Sequence, residues 1–118
     1  MVNGIGDVTM GAVEYALRGL ATRADVRAHN LANANTPGFR ATRVDFESTL
    51  RSALYRRDLE GVPAPAISAD PNLPGPNQNT VSVESEMVGQ IKDNLMRSAL
   101  VNAYNFKATA LRTAIGRH

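Results

Sequence analysis

Cysteine and tryptophan are both absent from the 118 residues of this chain. Without Cys there is no disulfide framework, no thiolate nucleophile and no sulfur ligand for a metal, although this does not choose a cellular compartment. Three Phe and three Tyr are the only aromatic residues, so few large side chains are available for a self-sufficient core. Ala is abundant instead, and it favours helix while contributing little transfer free energy. The composition therefore indicates a helical subunit that completes its burial against copies of itself or neighbours.

Long apolar runs and charge clusters are also lacking. No run reaches the roughly 20 residues that span a membrane, and residues 1–7 lack the basic and apolar blocks of a cleavable secretory signal. We therefore expect no direct membrane span and, if the protein leaves the cytoplasm, an export route that does not read such a signal. The net charge is only +2 and the Arg residues are dispersed along the chain, which argues against a nucleic-acid partner.

Chemistry-bearing constellations are equally scarce. His29 is the only internal His and is interpreted as a partly exposed helix residue. Asp45 and Glu47 are two residues apart and so would not face each other on a helix; we interpret them as a helix cap and a first-turn anion. No Gly-rich phosphate loop occurs. We predict no catalytic residue, no cofactor-binding residue and no metal ligand, and hence no enzyme.

Two long segments have apolar residues at spacings of three and four, which predicts amphipathic helices. The first helix is expected at about residues 7–35, capped by Asp7. The second is expected at about residues 82–116, capped by Ser82 and ended by Gly116. The residues predicted to pack between these helices or between subunits are Val13, Leu17, Leu20, Ala24, Leu31, Val88, Ile91, Leu95, Ala99, Phe106 and Ala110.

The middle of the chain divides into two parts. Residues 36–60 are predicted to hold a turn, an extended link and a short helix at about 45–58. Residues 61–81 contain five of the six prolines and are predicted to form a Pro/Gly-rich loop, with short extended pieces allowed near Ile67 or at 81–83. The predicted fold is one all-α domain over residues 1–118. Its long terminal helices pack as an antiparallel coiled-coil-like pair, joined by the short helix and the Pro-rich loop.

The most informative segment is residues 29–39, which reads HNLANANTPGF. Asn is costly inside a helix but useful at its end, Pro37 pushes Thr36 out of the helical region, and Gly38 can supply a positive φ. We predict that the helix ends here. Asn30 and Asn33, about one turn apart, are predicted to bond the following loop or an adjacent subunit.

This segment resembles the N-terminal signature of the flagellar axial proteins, the rod, hook and filament-junction subunits, which reads roughly N-I-A-N-x-x-T-P-G-[FY]; Leu31 stands where Ile is usual. Residues 43–47 resemble the V-D-F box that follows the signature in the short rod members, and the chain length is also similar to theirs. The similarity covers residues 10–54 well and 81–116 more loosely. The assembly motif that it implies comprises Asn30, Leu31, Ala32, Asn33, Thr36, Pro37, Gly38, Phe39, Val44, Asp45 and Phe46.

The resemblance implies a structural subunit of the proximal rod of the bacterial flagellar basal body, on the periplasmic side, that assembles through its terminal helices and transmits torque. The implied partners are other copies and other rod subunits, adaptor proteins between the membrane ring and the rod, and the flagellar type III export apparatus, which would export it without a cleavable signal peptide. Two alternatives remain open from the sequence: a helical export chaperone or adaptor, and a nucleic-acid-binding module.

Overall fold

The computed structural model describes residues 5–116. Its elements are α1 (Ile5–Ala32), β1 (Thr42–Asp45), α2 (Glu47–Arg56), β2 (Ala66–Ala69) and α3 (Val83–Ile115). The chain is mostly helical, with long helices toward both ends and a short helix between them, as the periodicity predicts. The molecule is elongated, 67 × 25 × 15 Å. No helix in the described part of the chain is long and apolar enough to cross a membrane.

A small antiparallel sheet corrects the all-α prediction. β1 pairs with β2 in a register that places Thr42 opposite Ala69 and Val44 opposite Ile67. The pairing gives hydrogen-bond partners to the main chain of Arg43 and Asp45. Between them the Val44 side chain is buried, at 4 % exposure, and the Val44 carbonyl accepts from Arg23, a partner that a buried group cannot obtain from water. Prolines do not prevent β2, because Pro65 and Pro71 lie outside its four residues and the strand is at the edge of the sheet.

The ends of the helices follow the predicted chemistry in part. Ser82 caps α3: its Oγ accepts from the amide of Ser85 at 3.3 Å, and the amide of Gly116 closes the other end on the carbonyl of Arg112 at 2.9 Å. The cap predicted at Asp7 is wrong, because α1 is already helical at Ile5.

The cap predicted at Asp45 is also wrong. Asp45 is the last residue of β1, held extended by its pairing with Ala66. Phe46 occupies the N-cap position of α2 and makes no side-chain capping bond, because Phe has no hydrogen-bond acceptor in its side chain; its ring is instead buried in the core, at 1 % exposure. The short helix therefore begins at Glu47 and ends at Arg56, inside the predicted range.

The hydrophobic core lies where α1 crosses β1 and the start of α2. It is formed by Tyr15, Ala16, Leu20, Val26, Val44 and Phe46, with Leu50, Val62 and Leu100 packed against it. The Phe46 ring lies directly on α1 at Gly19, where a Cβ atom would fall 2.4 Å from Cγ of the ring. Only glycine at this position lets the ring approach α1 so closely.

Candidate assembly site

The predicted corner at Thr36–Gly38 does end the first helix. α1 stops at Ala32 and passes through turns before the chain reverses toward β1. Gly38 has φ +75°, in the left-handed region that favours glycine. Its amide donates to the carbonyl of Asn77 at 2.9 Å. The corner is thus bonded to the end of the Pro-rich segment.

Asn79 holds this corner from the other side, and the sequence analysis missed it. Its side chain is buried, and its Nδ2 donates to the carbonyls of Asn33 and Thr36 at 2.8 and 2.7 Å. Its Oδ1 accepts from the amide of Val81 at 2.7 Å. One Asn side chain therefore ties together the turns that follow α1, as a second donor to carbonyls that also accept from the amides of Thr36 and Phe39. The only signal in the sequence was an Asn among several in the loop.

Asn30 is fully buried and connects three segments. Its Nδ2 donates to the carbonyl of Thr42 at 2.8 Å and to Oε2 of Glu86 at 2.7 Å, while its Oδ1 accepts from the Thr42 amide at 3.2 Å. The hydrogen bonds predicted from Asn30 to the following segment are therefore present. Asn33 donates to the His29 carbonyl of α1, and its Oδ1 accepts from the Thr36 hydroxyl at 3.2 Å, so its predicted bond to the following segment is also present.

The contact between α1 and the first half of α3 is made by charged side chains. Arg27 pairs with Glu86 at 2.9 Å and with Asp93 at 3.0 Å, and Arg23 pairs with the same Asp93 at 3.2 Å. The side chain of Glu86 is only 6 % exposed, so its charge depends on Arg27 and Asn30 for compensation. Every buried side-chain polar atom found in the described region has a hydrogen-bond partner.

Arg23 also joins α3 to the V-D-F box. It donates to the Val44 carbonyl and to Oε1 of Glu47, the latter at 2.6 Å, and its guanidinium lies 4.7 Å from the centre of the Phe46 ring. Burial acts to lower the pKa of Arg23, but the pairs with Glu47 and Asp93 outweigh burial and raise it. Partial burial acts to raise the pKa of Glu47, but Arg23 outweighs this effect and lowers it.

The apolar stripe predicted on α3 faces away from this ionic contact. Val88, Ile91, Leu95 and Phe106 are 47 %, 62 %, 69 % and 77 % exposed. At about 100° per residue, Leu95 lies about 200° around the helix from Asp93, on the opposite side. The polar side of α3 therefore meets α1, and its apolar side is left uncovered in the single chain.

Some of the other predicted site residues are buried and the rest are partly or fully exposed in the single chain. Of the packing set, Val13 and Leu20 are buried, Leu17 and Leu31 are half-buried, and Ala24, Ala99 and Ala110 are exposed. In the motif, Ala32, Thr36, Pro37, Gly38 and Asp45 are exposed, whereas Val44 and Phe46 belong to the core. Phe39 is half-buried with its ring 5.5 Å from that of His29. Their part in contacts between subunits stays a prediction.

The chain is similar in sequence to one family of known proteins and to several of its members. Residues 14–40 match the sequence profile of a family described as flagella basal body rod protein. A protein of Salmonella typhimurium is 31 % identical to the chain over 77 % of its length and 80 % of the relative's. A protein of Cereibacter sphaeroides is 30 % identical, covering 90 % of this chain and 92 % of the relative. A protein of Aeromonas hydrophila is 28 % identical, covering 92 % and 93 %. The chain belongs to the flagellar basal body rod protein family.

These three relatives share one name, flagellar basal body rod protein FlgB. Family membership makes the chain a structural subunit of the basal body rod of the bacterial flagellum, and not an enzyme. The resemblance recognised in residues 29–47 is thereby confirmed. The chaperone and nucleic-acid alternatives receive no support from these matches.

Proposed function

We propose that this chain builds the proximal part of the flagellar rod, on the periplasmic side of the cell envelope, and transmits torque passively as part of a stack of subunits. The proximal position is what the resemblance of residues 43–47 to the V-D-F box implies. The proposal is mechanical: the chain supplies surfaces that bind neighbouring subunits and a stiff pair of helices that carries load between them.

The pair of helices is proposed to be the antiparallel, coiled-coil-like unit, closed at one end by the Pro-rich loop. Three contacts support this arrangement. Glu86 meets Arg27, Asp93 meets Arg23, and the Tyr104 hydroxyl lies 3.5 Å from Glu14. Residues later in α3 therefore contact residues earlier in α1, as expected for two antiparallel helices. A torque-bearing unit gains from such a pairing, because two helices in contact resist bending more than one.

The observation that carries the proposal is the uncovered apolar side of α3. Ile91, Leu95 and Phe106 are each more than half exposed, and full burial of side chains of this size is worth about 1.5–3 kcal/mol each. Large exposed apolar patches mark interaction surfaces. The proposed occupant is a terminal helix of a neighbouring rod subunit, which would present a surface different from the apolar side of α3. Contacts of this kind join two different surfaces, so repetition extends a helical tube and does not close a dimer.

The wider partners follow from the same role. The chain would bind other copies of itself and other rod subunits along the stack, and adaptor proteins of the membrane ring at its base. It would reach that position through the flagellar type III export apparatus. No nucleic acid takes part in this scheme.

Leu95→Asp tests the proposal by placing a carboxylate in the middle of the apolar side of α3. Asn94→Asp is the matched control, because Asn94 is the exposed neighbour on the flank of the same helix. Each variant is expressed in a motile strain that lacks its own copy, and swimming and the variant's content in purified basal bodies are measured.

We expect Leu95→Asp to abolish swimming and incorporation while the purified monomer keeps its circular dichroism spectrum, because the changed side chain is solvent-exposed in the single chain. Asn94→Asp should behave as wild type. Normal incorporation of Leu95→Asp would refute burial of this surface between subunits.

A further inference from the structure

The two outer edges of the small sheet differ in whether their main-chain groups have hydrogen-bond partners. The outer edge of β1 is closed by side chains of α1. Asn30 satisfies both the amide and the carbonyl of Thr42, at 3.2 and 2.8 Å, and Arg23 donates twice to the carbonyl of Val44, at 3.2 and 2.9 Å. The main-chain groups of Thr42 and Val44 point away from β2, and α1 provides their partners where a third strand would otherwise bind.

The outer edge of β2 has no such cover. The amide of Asp70 donates to the carbonyl of Ala41 at 3.0 Å, which fixes the alternation of the antiparallel ladder. By that alternation Ser68 and Ala66 point their main-chain groups toward β1, whereas Ile67 and Ala69 point theirs outward. Within the described residues, no hydrogen bond is formed by the outward amides and carbonyls of Ile67 and Ala69.

The sequence of β2 leaves this edge available over a defined length. An open strand edge is a template for another chain unless charge, proline or cover blocks it. β2 has no charged residue and no proline, and all four of its side chains are exposed. The next outward positions, Pro65 and Pro71, have no amide proton to donate. The unblocked edge is therefore limited to Ile67 and Ala69.

A side-chain feature accompanies the open main chain. Ile67 lies opposite Val44, and cross-strand partners project on the same face of a sheet. Val44 belongs to the core, whereas Ile67 is 58 % exposed. The apolar face of the core thus continues to the rim of the sheet, where an added strand could cover it.

We propose that β2 receives an extended segment of a neighbouring rod subunit, which adds as a third strand. The segment would pair by main-chain hydrogen bonds with Ile67 and Ala69 and place an apolar side chain over Ile67. This inference rests on the proposed function, because the strand must come from a neighbour held in place by other contacts. An edge of two residues buries far less than the roughly 1,200 Å² of a stable specific interface. Such pairing becomes effective only when the two chains are already linked and their local concentration is high.

Ala69→Pro tests the proposal because it removes only the outward amide proton and leaves the ladder to β1 intact. Proline is accepted on the open side of an edge strand. Ala69→Val is the matched control, since it enlarges the side chain but keeps the amide. Each variant is co-expressed with wild type in a motile strain, and the ratio of variant to wild type is measured in purified basal bodies and in the free pool.

The expected result is about tenfold poorer incorporation of Ala69→Pro, the effect of losing one main-chain hydrogen bond and leaving its partner unpaired. Ala69→Val should incorporate nearly as wild type. Equal incorporation of Ala69→Pro would overturn strand addition, and if Leu95→Asp still failed to incorporate, the proposed function would stand without it. Failure of both proposals would appear as normal incorporation of both variants.

Hydrogen exchange of the wild-type protein tests the same point without a variant, in case Ala69→Pro does not fold. The amides of Ile67 and Ala69 should exchange rapidly in the free monomer and at least about tenfold more slowly in purified rods, because pairing protects them. Equally rapid exchange in the rod would overturn the proposal. So would a stable dimer of the free protein that Ala69→Pro dissociates, since the occupant would then be a second copy in solution.

Discussion

Replacing Asn30 by Asp changes one nitrogen to oxygen at the most connected buried side chain of the protein. The substitution conserves shape but removes the amide that donates to the Thr42 carbonyl and to Glu86. A new carboxylate would then stand 2.7 Å from that of Glu86, at a position with no exposure to solvent. Uncompensated buried charge typically costs about 3–5 kcal/mol, against a total free energy of unfolding of roughly 5–15 kcal/mol for a small domain. We expect Asn30→Asp to lose a large part of the stability at neutral pH.

The measurement is urea unfolding of the purified monomer followed by circular dichroism, with the midpoint converted through the slope of wild type. Asn33→Asp is the control, because Asn33 is half-buried and donates only to the His29 carbonyl; losing that bond should cost about 1 kcal/mol. The reasoning about the Asn30 site is refuted if the two variants unfold at the same urea concentration.

Two further predictions concern Glu47 and Gly38. Arg23 lowers the pKa of Glu47 in the folded state below its ordinary 4.5, so the pair contributes stability above that pH and loses it as pH falls through the folded-state value. Glu47→Gln should therefore flatten the decline of the urea midpoint below about pH 4.5. A decline unaffected by Glu47→Gln would contradict the pairing. Gly38 has φ +75° and open space around its Cβ position, so Gly38→Ala should cost about 1–2 kcal/mol through backbone strain alone, and Gly38→Asn should cost less because Asn tolerates this conformation; equal thermal midpoints for wild type and Gly38→Ala would refute the strain.

The parts of the fold that depend on local periodicity were predictable from the sequence. Apolar spacing gave both long helices to within a few residues, and the Ser82 hydroxyl was correctly identified as a cap. The turn at Thr36–Gly38 was also predictable, because proline and glycine act on the chain directly beside them. These features need only information from nearby residues, which a single sequence contains.

The sequence predicted an extended link before the short helix and allowed an extended piece near Ile67, but the pairing of the two strands was not predictable in the same way. β1 and β2 are four residues each, too short to show a reliable alternation. The two strands are separated in sequence by α2. They are stabilised by pairing with each other and by the side chains of Asn30 and Arg23 of α1. No local pattern in Thr42–Asp45 reports on those distant partners.

The orientation of α3 was missed for a different reason. An apolar stripe indicates that a helix face is buried against a partner. It does not show whether that partner belongs to the same chain. Here the polar residues Glu86 and Asp93 face α1, where Arg23 and Arg27 stand four residues apart. That matching of charges was the available signal for the contact within the chain, whereas the apolar stripe is proposed to serve contacts with neighbouring subunits.

The anchoring of the Pro-rich segment has a practical consequence. Before the Leu73–Pro74 junction, Asp70 is bonded to Ala41 and Asn72 to Thr80. After it, Gly75 is bonded to Asn79, which in turn is bonded to Asn33. The junction is therefore a short bridge between two fixed points. Leu73 is 90 % exposed, and lengthening a surface loop costs little entropy. A small epitope inserted at this junction would mark the subunit for electron microscopy of intact motors without loosening the bonds on either side.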